Sequence, residues 1–257
     1  MVSVPLKMRG LLFATLLVST LAGAADDGIV TERPSFVDSS ETVGIGRLQI
    51  ETGVQDAHDT GSSNDWTIPT LLRWGVADDW EVRFESDTYE RSNAVSARYV
   101  DGWANLTVGI KHHVGGDSAD GPSSAWFAEV EMPTGATPFR GPGARPSARW
   151  VTEWELPANY SFAVMPGLKY DNGDNGRFVS GSLGATLGKN FSEAAMVFVE
   201  LAAPQITTAN DGGTQLSFDA GVQYRIGKNF QIDSAVDFGL NHRTPDRTLT
   251  VGASAKW

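Results

Sequence analysis

Cysteine is absent from the 257 residues, which excludes disulfides, thiolate metal sites and cysteine nucleophiles. Basic residues are scarce. Twenty Lys and Arg stand against 31 Asp and Glu, for a formal charge of −11 and a pI of about 4.7. Such a chain lacks the basic surface that phosphate contacts need, so nucleic acid is excluded as a partner. Only four histidines occur, His58, His112, His113 and His242. No apolar run reaches the ~20 residues of a helical membrane span. Charged residues make up 20% of the chain and mean hydropathy is −0.19, values that suit a soluble protein. The order of the apolar residues points elsewhere.

Lys7 and Arg9 precede an apolar stretch over residues 10–23, followed by Ala22-Gly23-Ala24-Ala25 and the pair Asp26, Asp27. This layout predicts a secretory signal peptide over residues 1–25. Its removal takes Lys7 and Arg9 with it and leaves 18 basic and 31 acidic residues. Residues 26–45 form a polar segment containing Arg33-Pro34 and Asp38-Ser39-Ser40-Glu41. Two readings of it stay open, a periplasmic tail and a gate folded into a lumen.

From Arg47 onward the apolar period is two. Leu48, Ile50, Thr52 and Val54 alternate with Arg47, Gln49, Glu51 and Gln55. Trp80, Val82, Phe84 and Ser86 alternate with Glu81, Arg83, Glu85 and Asp87, and the pattern persists to Trp257. About twelve such segments, each of about ten residues, predict an all-β fold: a transmembrane antiparallel β-barrel over residues 46–257, strung as an up-and-down meander.

Three further features separate a membrane barrel from a soluble sandwich. Seven tryptophans, Trp66, Trp74, Trp80, Trp126, Trp150, Trp154 and Trp257, fall on the apolar faces, as an interfacial girdle requires, while Trp103 does not. Short connections at 75–79, 157–159, 188–193 and 227–229 alternate with longer ones at 56–65, 89–102, 134–148 and 204–213. The connections at 114–123 and 241–246 break the rule, one long and one short. The last strand ends on an aromatic residue, the ending that predicts the barrel assembly machinery as a partner. Pro69 and Pro166 lie inside predicted strands, where a closed barrel has no free edge, so a bulge is expected at each.

The stretch Thr31-Glu32-Arg33-Pro34-Ser35-Phe36, then Val43-Gly44-Ile45-Gly46 and Leu48-Gln49-Ile50-Glu51-Thr52-Gly53, resembles the start of mature proteins of the MetA-pathway of phenol degradation family of outer-membrane transporters. Met132-Pro133-Thr134-Gly135, Phe218-Asp219-Ala220-Gly221-Val222-Gln223-Tyr224, Gln231-Ile232-Asp233 and Thr244-Pro245-Asp246 are similar to that family in order and spacing. The resemblance implies a barrel in the cell outer membrane that passes small solutes, with small organic or aromatic compounds as the suggested class. It carries no catalytic or ligand residues.

Charges cannot face lipid without a cost of about 2–4 kcal/mol at mid-depth, so the charged faces must line a lumen. Glu51, Arg73, Arg83, Glu200, Arg225, Asp219 and Asp233 are the candidate lumen residues that set selectivity. A narrow channel and an interior filled by ion pairs are equally compatible with twelve strands. Apolar inward residues are few, Leu71, Phe127, Val151, Met165 and Phe198, so a pocket for a hydrophobic compound would have to come from the loop at 134–148 around Phe139. An ordinary exposed loop explains that stretch better.

The enzyme readings are weak. His58 beside Asp59, and His242 near Asp246, could activate water, but no spacing specifies a triad. Adjacent His112 and His113 point to opposite faces and cannot chelate one metal. Residues 171–176 (DNGDNG) lack the helical frame of a calcium loop and suit a hairpin turn. No enzyme activity, cofactor or metal is expected. The expected function is an outer-membrane channel or transporter for small solutes in contact with outer-membrane lipid; a closed structural or adhesive barrel is the alternative.

Overall fold

A computed structural model of the chain describes residues 28–59, 64–93, 99–115, 121–173 and 176–257. The predicted signal peptide lies outside them. Twelve long strands follow one another: β1 (Leu48–His58), β2 (Asn64–Ala77), β3 (Trp80–Ser92), then, after a three-residue β4 (Val100–Gly102), β5 (Leu106–His113), β6 (Ser123–Met132), β7 (Arg145–Leu156), β8 (Tyr160–Gly173), β9 (Gly176–Asn190), β10 (Ala195–Ile206), β11 (Ser217–Ile226), β12 (Phe230–Gly239) and β13 (Arg247–Lys256). Each long strand pairs antiparallel with the next, and β13 pairs with β1, which closes a twelve-strand meander barrel. β4 pairs only with the far end of β3. Closure leaves no edge among the twelve long strands, and only the three-residue β4 has one. Among the described residues no helix is long and apolar enough to cross a membrane.

The two-residue period sorts the side chains. Thr250 is 2% exposed, whereas its neighbour Val251 is 64% exposed. Val251, Leu168, Val179 and Leu201 stand on the outer surface, while Glu51, Arg73, Glu81 and Lys111 are fully buried inside. An outer surface this apolar around a charged interior is the reverse of a soluble protein. The two-residue connection from β8 to β9 lies at one end, and the tight turns between β2 and β3, β7 and β8, β9 and β10, and β11 and β12 lie at the other. The connection after β5 joins that end.

Several expectations change in detail. β3 runs on to Ser92 and pairs with β4, so the stretch from Tyr89 is partly strand. β7 starts at Arg145, so the loop before it is 133–144, shorter than the sequence suggested. At Pro69 the register shifts between Thr67 and Pro69, with the extra residue on β3, which brings Glu90 to the inner side beside Glu85 and Asp87. At Pro166 the expected bulge is absent. The β8–β9 register runs through it unbroken. On the other side the ladder opens instead, between Arg149↔Gly167 and Thr152↔Val164. The missing N–H of proline is absorbed by this gap, so no extra residue is needed.

Candidate functional site

The lumen holds the N-terminal segment. Residues 28–46 enter at the short-turn end, climb the inner wall and return to β1. The Ile29 amide donates to the Lys228 carbonyl at 2.7 Å. The Gln49 side chain donates to the Val30 carbonyl at 2.8 Å, and that of Gln231 to Thr31 Oγ1 at 2.6 Å. Higher up, the Phe36 and Val37 amides donate to the two oxygens of Glu200, at 2.7 and 2.9 Å. On the way back the Ser40 amide donates to Glu153 at 2.6 Å and the Val43 amide to Glu81 at 3.1 Å. Wall carboxylates thus satisfy amides that a segment without secondary structure would otherwise leave unpaired.

Glu32 is the electrostatic centre of the segment. Its Oε1 lies 3.1 Å from Arg73, 3.0 Å from Arg83 and 2.8 Å from Lys111. Burial alone would push its carboxyl up, but Arg73, Lys111 and Arg83 hold it well below the usual carboxylate range. Arg73 also pairs with Glu51 at 3.2 Å and Glu81 at 2.9 Å. Asp38 bridges Arg83 at 3.1 Å and Arg149 at 2.8 Å. On the opposite flank Arg33 meets Asp233 at 3.2 Å. The few inward apolar residues have a use here: Phe127, Val151 and Met165, with Ala125 and Ala163, form a patch that receives Val37 and Phe36.

Above this floor, toward the long loops, lies a cavity of about 820 Å³. Glu32, Arg33, Phe36 and Asp38 of the segment line it below, with Glu85, Asp219 and Asp237 on the walls and Phe139 from the loop before β7. Phe139, read from sequence as a loop residue, therefore faces the vestibule.

The seven lumen candidates divide. Glu51, Arg73, Arg83, Glu200 and Asp233 all touch the segment. Asp219 lines the vestibule. Arg225 lies at the short-turn mouth, with Glu155 and Glu193, and its guanidinium borders Gly28 at the start of the segment. Sequence reading missed Glu32 and Asp38 because nothing local marks a coil residue as buried. The signal that could have found them is the placement of acids among the spaced apolar residues Ile29, Val37 and Val43, all buried here.

Of the tryptophans, Trp74, Trp80, Trp126, Trp154 and Trp257 sit toward the short-turn ends of their strands, Trp150 is mid-strand opposite Trp126, and Trp66 is near the long-loop end. Trp80 stacks on His112 with ring centroids 4.2 Å apart. On the other face, His113 Nδ1 lies 3.1 Å from the Ser40 carbonyl. His58 is bonded to Asn64 across the β1–β2 hairpin; Thr60 and Gly61 beside it lie outside the described residues, as do 117–120 and 174–175. Asp171 pairs with Arg145 at 3.0 Å, a structural role. Among the described residues no group of three or more His, Asp or Glu side chains could hold a metal ion.

The model of the family described as "Putative MetA-pathway of phenol degradation" matches residues 31–257. Among solved structures, an outer-membrane channel from Pseudomonas putida F1 is similar, at TM-score 0.62 and 11% identity, over 86% of this chain and 100% of that one. NanC porin is similar at TM-score 0.56 and 11% identity, over 82% and 100%. KdgM porin is similar at TM-score 0.54 and 12% identity, over 81% and 98%. At such identities the likeness is one of fold. No curated protein matches the chain in sequence.

Proposed function

The chain belongs to the MetA-pathway of phenol degradation family, and from that premise we propose that it is an outer-membrane channel for small solutes, closed at rest by residues 28–46. The observation that carries this reading is how the segment is held. It is seated mainly by hydrogen bonds and ion pairs to the wall, with one small apolar patch. Buried ion pairs are a poor way to fill an interior for stability, since apolar residues of similar volume do as well or better. They suit a segment that must leave and return, because both surfaces stay soluble in water when parted.

The vestibule above the segment gives a solute an entry compartment of a size typical for small-molecule sites. Phe139 and Phe36 line it, which accommodates small organic or aromatic compounds. The apolar outer surface is the lipid contact, the short turns face the periplasm, and β13 with Trp257 is the part the assembly machinery reads. Export depends on the signal peptide at residues 1–25. The protein works as a conduit, not as an enzyme.

One observation favours the second reading, a permanently closed structural barrel: the network of Glu32, Arg73, Glu51 and Glu81 is almost wholly sealed from solvent. Planar-bilayer conductance of the mature chain and of a variant lacking residues 28–43 decides between them. Small or intermittent current from the mature chain and a large steady current from the deletion variant are expected. Silence from both, with each barrel shown to be folded by its heat-modifiable mobility, would establish the structural reading.

A further inference from the structure

We infer that the outer vestibule is a binding site for small organic cations, protonated amines carrying a ring or a short alkyl body; this rests on the channel reading in taking the vestibule as the solute's entry. The charge inventory of the cavity wall is lopsided. Ten carboxylates line it against five cations. Every one of the five cations is already ion-paired: Arg33 with Asp233, Arg83 with Glu32 and Asp38, Arg145 with Glu131 and Asp171, Arg149 with Asp38 and Glu129, and Lys169 with Glu131. Five carboxylates, Glu85, Asp87, Glu90, Asp219 and Asp237, have no ion-pair partner among the described residues. An anion entering this space meets five acids without ion-pair partners and only cations already held by carboxylates, of which Arg33, Arg83 and Arg145 each keep an Nε without a hydrogen-bond partner. The same balance favours a cation.

A second feature is independent of that inventory. Asp219 is 5% exposed and lines the cavity, yet its Oδ1 has no hydrogen-bond donor. Its other oxygen receives the Ser217 hydroxyl at 3.3 Å. Its neighbours across the ladder are Glu200 and Asp237, both acids. Both lie within hydrogen-bond reach of Asp219, but Glu200 is already satisfied by the Phe36 and Val37 amides, and an ionised Asp237 brings no donor of its own. A buried carboxylate oxygen left in this state is costly, and an ammonium group supplies the missing N–H together with the missing charge.

The layout also separates an organic cation from a metal ion. Glu85, Asp87 and Glu90 lie on β3, whereas Asp219 and Asp237 lie on β11 and β12. Three strands, β2, β1 and β13, intervene. Carboxylates so placed cannot converge on one small ion, which needs a tight shell of oxygens. An organic body can reach between them, and Phe139 and Phe36, whose rings can attract a cation, line the same cavity.

The test uses the whole mature barrel in detergent at about pH 8. Phenethylammonium, phenylethanol and phenylacetate are titrated by calorimetry, and conductance is recorded on the same preparations. Saturable binding of phenethylammonium alone is expected, weakened about tenfold or more in Asp219→Asn and in Asp87→Asn; the second variant keeps the test decisive if the first fails to fold. Equal binding of all three probes, no binding of the ammonium, or ammonium binding indifferent to the folded variants would overturn the site. A barrel that binds the ammonium yet carries no current without residues 28–43 would overturn the channel and leave the site standing. Current with no ammonium preference would do the opposite.

Discussion

Arg33 shows how a single side chain ties the segment to the wall. Its guanidinium lies against Gly53 and Gly252, which face each other in register across β1 and β13. A Cβ on either glycine would come within 2.3 Å of the Arg33 Nη2 atom, too close for any relaxed contact. The glycine pair therefore forms a notch, and Asp233, opposite Gly252 on β12, closes it. Gly252→Ala should leave the strands paired but push Arg33 off its carboxylate, whereas at Gly53 an added Cβ would also meet the Val251 carbonyl of the paired strand at 2.6 Å. The loss of one charged hydrogen bond, about 1.5–3 kcal/mol, should raise the ratio of open to closed channel about tenfold or more. Single-channel recording reads this directly, and unchanged gating in Gly252→Ala would mean that Arg33 does not latch the segment. At this scale the sequence was informative in one direction only. Period two placed Glu51, Arg73 and Glu200 on the inner face, but which coil residue each would meet depends on contacts such as Arg33 to Asp233, 200 residues apart.

Among the connections, the turn between β7 and β8 carries visible strain. Ala158 and Asn159 both have φ of 61°. Asparagine tolerates the left-handed region, and alanine pays for it with a Cβ clash of about 1–2 kcal/mol. Ala158→Gly should stabilise the refolded barrel by about 1 kcal/mol, after its greater flexibility when unfolded is offset. The urea midpoint of the vesicle-folded protein checks this, and a lower midpoint would contradict it. The strands themselves were legible because alternation is a local property: each residue's side is set by its neighbours. The two prolines were legible as irregularities but not in kind. At each proline the ladder to one neighbour opens, to β1 at Pro69 and to β7 at Pro166; Pro69 alone is also answered by an extra residue on β3. Which solution occurs depends on the neighbouring strand, which the local sequence does not contain. β4 escaped notice because three residues show no period.

For the molecule as a whole, the tryptophans should report its place in the bilayer. Trp74 and Trp257 are 50% and 54% exposed on the outer surface near the short-turn end. Trp103 is exposed at the other end, where its Nε1 donates to the Thr134 carbonyl at 3.1 Å. Interfacial rings sit at headgroup depth. Variants that keep only Trp74 or only Trp257 should be quenched by lipids brominated near the headgroup. A variant that keeps only Trp103 should be quenched by an aqueous quencher instead. Equal quenching of all three by lipid would contradict the membrane placement drawn from the outer surface.

The sequence by itself determined the barrel: its strand number, the sides of its wall and its charged interior. All of these follow from a two-residue period that any ten residues display and from the cost of a charge in lipid. It left residues 26–45 equally suited to a tail and a gate. Only closure of β13 onto β1 decided that residues 28–46 lie inside the lumen, because only then do Glu200, Asp233, Arg73 and Glu153, on four different strands, face one another across a common space. Closure likewise decided that five carboxylates face the vestibule without ion-pair partners among the described residues. Pairing between distant residues is a property of the closed ring, and no stretch of the chain carries it alone.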